Sequence, residues 1–138
     1  MIDDLHAKYP NDLRIVIKHF PLGNHKQAKK AALYSMAAER QGKFIEMEHK
    51  IFDNYRQLRN NEDLPRQYAQ ELGLDMVQFD KDMKDPSLEA RLNREISQLR
   101  KSGIPRLAVP KFLINGKEPQ GKRSLESWSA IIDAELKK

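Results

Sequence analysis

The residues of this chain that could move protons or hold a metal are few. Four histidines, His6, His19, His25 and His49, fall within the first fifty positions, and His49 stands three residues after Glu46. That Glu-x-x-His spacing puts both side chains on one helix face, as carboxylate-bridged metal sites require. Such sites need a second pair of the same kind and further glutamates on facing helices. No second Glu-x-x-His occurs, so Glu46 and His49 read as surface residues of an amphipathic helix, and no metal is expected. His19 reads as a hydrogen-bonded turn residue. Serine chemistry finds no Gly-x-Ser-x-Gly elbow: Ser35, Ser102 and Ser124 lie in helix or cap contexts. The six glycines are isolated, so no loop can cradle a phosphate. Cysteine is absent from all 138 residues. Disulfides, thiolate metal sites and cysteine nucleophiles are therefore excluded within them, and no cofactor is expected.

Charged residues make up 33% of the chain, above the usual ~25%, which suits a helix-rich protein with well-solvated faces. The net charge of +5 leaves nucleic acid or an anionic surface open as partners. The basic residues are scattered among acidic ones, however, with nothing longer than the Lys29-Lys30 and Lys137-Lys138 doublets. The excess reads as solvated surface, and neither a nucleic-acid nor a membrane partner is expected. No stretch approaches the ~18–20 apolar residues of a membrane span. Met1 to His6 carries no basic and then apolar leader, so the chain as written is expected in the cytoplasm.

The elements that must position any site follow from periodicity. Residues 2–9 read as the end of a helix, with Ile2, Leu5 and Tyr9 at helical spacing and Pro10-Asn11-Asp12 as the stop. Residues 13–20 are β-branched at their centre and apolar through three consecutive positions, which predicts a strand buried on both faces. A small-residue helix follows through Ala28 and Ala38. Next come a stripe of Phe44, Met47, Ile51, Phe52 and Tyr55, and a short helix over 64–72 closed by Gly73. Residues 75–83 give another helix. Asp85-Pro86 opens a long helix to about Ser102, with Leu88, Leu92, Ile96 and Leu99 on one face. The methionines Met36, Met47, Met76 and Met83 sit at apolar helical positions and read as core. Residues 110–114 read as a strand and Asn115-Gly116 as a hairpin turn. Residues 117–120 read as a returning edge strand, because Pro119 cannot donate to a ladder. Ser124 caps a last helix with Leu125, Trp128, Ile131, Ile132 and Leu136 facing inward. A helical block between a buried strand and a C-terminal hairpin with its helix predicts an α/β fold in one domain, 1–138, with a helical insertion over about 25–103.

From His19-Phe20-Pro21-Leu22 onward the sequence resembles the DsbA-like thioredoxin-fold disulfide oxidoreductase family. The resemblance runs through the alanine-rich helix from Ala28 to Ala38, Gly42 to Met47, Leu64-Pro65 and Gly73-Leu74-Asp75. It ends with Val109-Pro110-Lys111-Phe112-Leu113-Ile114-Asn115-Gly116-Lys117 and the helix of Leu125 and Trp128. It covers nearly the whole chain and implies a thioredoxin-like α/β fold, N-terminally truncated. The family's first strand and the Cys-x-x-Cys motif that caps its first helix are absent. The chain is thus a fragment, a late translation start or a degenerate member.

By the same resemblance, Pro110 matches the family's cis-proline, and Val109 before it offers its backbone to a substrate peptide. Ile104-Pro105-Arg106-Leu107-Ala108-Val109 departs from the family in looking longer than the usual link. The missing strand would lie between residues 13–20 and 110–114, leaving two edges whose unpaired backbone groups cost on the order of 1–3 kcal/mol each if buried. A homodimer or strand-swapped assembly is therefore expected. The implied function is that of a thiol–disulfide oxidoreductase domain, redox-inactive because the thiols are missing. The resemblance implies a family that is typically periplasmic or extracytoplasmic. The competing reading is a non-enzymatic peptide-binding or dimerisation module that takes an extended polypeptide at the exposed edge and the Val109-Pro110 loop.

Overall fold

The computed structural model describes residues 1–105 and 108–138. The chain divides into two compact units, residues 19–104 and residues 1–18 with 105–138. In chain order the helices are α1 (Ile2–Lys8), α2 (Lys26–Glu39), α3 (Phe44–Asp53), a 3₁₀ turn (Gln57–Arg59), α4 (Leu64–Glu71), α5 (Met76–Met83), α6 (Pro86–Arg100) and α7 (Leu125–Leu136).

The unit of residues 19–104 is built around α2. Its small residues let neighbours approach closely, and Ala32, Met36, Ala37 and Ala38 are buried. Helices α3, α4, α5 and α6 all pack on α2. They contribute Met47 and Ile51 from α3, Tyr68 and Ala69 from α4, Phe79 from α5 and Leu88 and Leu92 from α6. Tyr34 stacks on Phe79 with ring centroids 5.9 Å apart. Local chemistry sets the boundaries. Gly73 takes φ 72° just past α4, the left-handed geometry that closes a helix at least cost in glycine. Asp75 accepts from the Gln78 amide at 3.0 Å and Asp85 from the Ser87 amide at 2.9 Å, so α5 and α6 each start on a side-chain cap.

The other unit pairs α1 with α7. Leu5, Tyr9, Trp128 and Ile132 form its buried centre, with Phe112 and Ile114 packed against them. Phe112 meets Trp128 edge-on at 4.8 Å. Tyr9 donates its hydroxyl to Asp133 Oδ1 at 2.7 Å and lies 3.3 Å from the Ser129 carbonyl. Ser124 caps α7 by accepting from the Ser127 amide.

The expected α/β architecture is corrected by this structure. The chain is helix-dominated, and among the described residues there is no sheet. The one β pairing there is the Ile114–Lys117 bridge that closes the Asn115-Gly116 turn. Both turn residues sit at positive φ, 47° and 80°, as a type I′ turn demands. Residues 13–20, 110–114 and 117–120 are not strands. The physical reason is that β-propensity reports fit to a pleated, half-buried surface, and a strand exists only where a second backbone runs beside it. Ile15, Val16 and Ile17 are exposed rather than buried on two faces. Two positions expected to face inward on α7, Leu125 and Leu136, are also exposed.

Candidate functional site: the groove beside Val109 and Pro110

Val109 is half-buried and Pro110 exposed, and the peptide bond joining them is cis. Of the longer link that leads to them, Arg106 and Leu107 lie outside the described residues. Next to Pro110 is an open groove of about 620 Å³, lined by Pro105, Lys111, Glu118, Pro119, Gln120 and Gly121. The Asn115-Gly116 turn builds it by folding 117–121 back alongside 111–114. The groove's polar feature is an ion pair. Lys111 Nζ lies 2.7 Å from Glu118 Oε1, with the lysine side chain largely buried and the glutamate half-exposed. One residue further on, Phe112 anchors the loop on Trp128, and the Arg123 guanidinium covers the Phe112 ring at 4.9 Å. Gln120 donates its side-chain amide to the Glu118 carbonyl at 3.1 Å, which holds the far wall.

Chemically the groove offers one cation, one carboxylate, an amide and backbone polar groups. Cysteine is not among its lining residues.

The other residues singled out by type belong elsewhere. His6 is exposed on α1. Glu46 pairs with Lys43 at 2.8 Å, and that ion pair is what lowers the Glu46 carboxyl below its ordinary range. Among the described residues no three His, Asp or Glu side chains converge as a metal site would require. The His19 backbone amide donates to Glu95 Oε2 at 2.7 Å, and its ring meets Phe44 edge-on at 5.8 Å. His19 Nε2 is buried with no partner among the described residues. The strongest carboxylate perturbation is structural too. The Ser87 amide and then Arg40 hold the Asp85 carboxyl down at about 2. Sequence reasoning reached Val109 and Pro110 and missed Lys111, Glu118 and Gln120. The available signal was a pair of opposite charges flanking a two-residue turn.

The chain belongs to the thioredoxin family: a family profile described as Thioredoxin matches residues 2–134. Among curated proteins it is similar to the Na(+)/H(+) antiporter NhaA of Herminiimonas arsenicoxydans, 32% identical over 132 residues, which cover 96% of this chain and 20% of that protein. It is also similar to the Na(+)/H(+) antiporter NhaA 1 of Mycolicibacterium vanbaalenii, 38% identical over 135 residues covering 96% and 21%. The counterpart in Mycolicibacterium gilvum is 37% identical over the same length. The chain therefore spans about a fifth of the length of the curated relatives it matches. No solved structure matches it. No helix among the described residues is long and apolar enough to cross a membrane.

Proposed function

We propose that this chain is a DsbA-like, peptide-binding domain of the thioredoxin family with no thiol–disulfide activity of its own. The observation that carries the reading is the groove beside Val109 and Pro110, whose walls include the Lys111–Glu118 pair. Thiol exchange proceeds by thiolate attack through a mixed disulfide, and none of the 138 residues is a cysteine. What remains of such a site is recognition of an extended polypeptide by main-chain hydrogen bonds and shallow side-chain contacts. The relatives are named as antiporters, and this chain matches about a fifth of each of them.

The test is fluorescence anisotropy with a labelled, carboxymethylated and permanently unfolded polypeptide. A disulfide-turnover assay is run on the same samples. Wild-type protein is expected to bind and to turn over nothing. Val109→Asp places a charge against the bound chain and is expected to weaken binding about tenfold, the loss typical of a central contact residue. Near-UV dichroism of Trp128 serves as the folding control. Equal binding by both proteins, or no binding by either, removes the groove from the mechanism. Measurable disulfide turnover would overturn the redox-inactive part.

A further inference from the structure

Helix α3 is apolar on two sides. Met47 and Ile51 are buried in the core of the unit 19–104, while Ile45 and Phe52 are 48% and 66% exposed. Seven residues fall within about 20° of two full turns. Ile45 and Phe52 therefore stand in line on one face, about 10 Å apart along the axis, with Met47 and Ile51 roughly opposite. Tyr55, in the turn just past the helix, is 53% exposed. Arg56 holds it: the Arg56 Nε donates to the Tyr55 hydroxyl at 3.1 Å, and the guanidinium lies 5.7 Å from the ring centroid. Among the described residues of this unit, the other large apolar side chain that is exposed is Val77 on α5. Single exposed apolar residues are ordinary, but a contiguous set of them marks an interaction surface, and here three gather on α3 and the turn that follows it.

We propose that the outer face of α3 is a two-fold interface between two copies of this chain, with the helices antiparallel and Phe52 of each copy packed on Ile45 of the other. Shape selects a second copy. A two-fold axis crossing α3 between residues 48 and 49 exchanges positions 45 and 52, so the same surface serves both copies. The large ring then meets the smaller aliphatic chain, and does so twice. Charge selects the orientation. Asp53 is exposed at the C-terminal end of α3, where a carboxylate sits against the negative end of its own helix dipole. Reversal sets Asp53 over the N-terminal turn of the other copy's α3, where the dipole is positive. A parallel pair would set Asp53 against Asp53 and align the two dipoles. Area sets the strength. The three side chains offer on the order of 400 Å² of apolar surface, about half of the ~800 Å² per partner in a standard stable interface. The dimer is therefore weak and reversible, formed at high protein concentration.

The experiment is sedimentation equilibrium of the 138-residue chain over a concentration series from about 10 μM to about 1 mM, the range in which so small an interface is populated. The mass is expected to rise toward twice that of the monomer at the top of the series. Phe52→Glu is expected to weaken association at least tenfold, the loss typical of a central contact residue, and Phe52→Leu to keep it. Far-UV dichroism is the folding control, and since Phe52 is exposed both variants should match wild type. Orientation is read by cross-linking, because a chain without cysteine accepts one engineered thiol as a unique probe. Ile45→Cys and Phe52→Cys proteins, made with different mass tags and oxidised as a mixture, are expected to form the mixed disulfide in preference to either like pair. A monomer throughout the series overturns the proposal. So does association that Phe52→Glu leaves unchanged, which would place the contact on another surface. Preferential 45–45 and 52–52 cross-links overturn the antiparallel arrangement.

Discussion

Replacing Arg40 with alanine should cost the helical unit about 2 kcal/mol, because this side chain is the ionic partner of a buried carboxylate. Arg40 stands at the C-terminal end of α2. Its Nη1 donates to Asp82 Oδ1 at 2.7 Å and to Asp85 Oδ2 at 2.8 Å, and its Nη2 donates to Ser87 Oγ at 2.7 Å. Asp82 is buried on α5. Its Oδ1 also accepts from Gln78 at 2.9 Å, while Oδ2 has no partner among the described residues. Alanine at 40 leaves this carboxylate with a single neutral donor. A hydrogen bond to a charged group contributes roughly 1.5–3 kcal/mol. The exposed contacts to Asp85 and Ser87 add about 0–1 kcal/mol, since water screens them. The Arg40 side chain is itself one-third exposed, which moves the sum toward the lower half of that range. At a urea slope of about 2 kcal/mol/M, the midpoint falls by about 1 M. Urea titration at neutral pH, followed by far-UV dichroism, reads it directly. A double-mutant cycle of Arg40→Ala with Asp82→Ala should give a coupling of about 1–2 kcal/mol. A loss below about 0.5 kcal/mol, or a coupling near zero, would show the contact to be an ordinary screened surface pair and refute the reasoning.

Two further outcomes are expected. The Asp85 carboxyl is held at about 2 by the Ser87 amide and then by Arg40, against about 3.9 in an unfolded chain. The folded state therefore binds fewer protons between these values. The contribution is complete above pH 4 and is lost as pH falls toward 2. The stability gap between wild type and Asp85→Asn, measured by urea titration at several pH values, should shrink across that window; a gap constant with pH would contradict the assignment. In the other unit, Tyr9→Phe removes the hydroxyl that reaches Asp133 and the Ser129 carbonyl. It should cost about 1 kcal/mol in the unfolding transition read by Trp128 fluorescence, and an unchanged midpoint would mean that water replaces the bond without loss.

The helices were legible in the sequence because each closes its hydrogen bonds within itself. Asp85 and Ser124 announced two helix starts, and each is a side-chain cap in the structure. Leu88 and Leu92 on α6 and Met36 and Met47 on α2 and α3 are buried as periodicity required. The turn at Asn115-Gly116 was equally local, because two positive-φ residues suffice to specify it. Val109 and Pro110 were named from the family resemblance, and the candidate groove lies beside them. Lys111, Glu118 and Gln120 were not, because their meeting depends on how far the returning segment folds back after the turn. That distance is set by Phe112 resting on Trp128, well over ten residues away in the chain.

The sequence by itself determined roughly where the helices begin and end, part of their buried stripes, and that these 138 residues hold no thiol to react; Phe52, Tyr55, Leu125 and Leu136, read as inward-facing, are exposed. Tertiary structure alone decided the fate of residues 13–20 and 110–114, which composition marked as strands. A helix satisfies its own backbone four residues away, whereas a strand must borrow a second backbone, and whether one lies alongside is not written in the strand. The same dependence left Ile15, Val16 and Ile17, a run expected in the core, facing solvent.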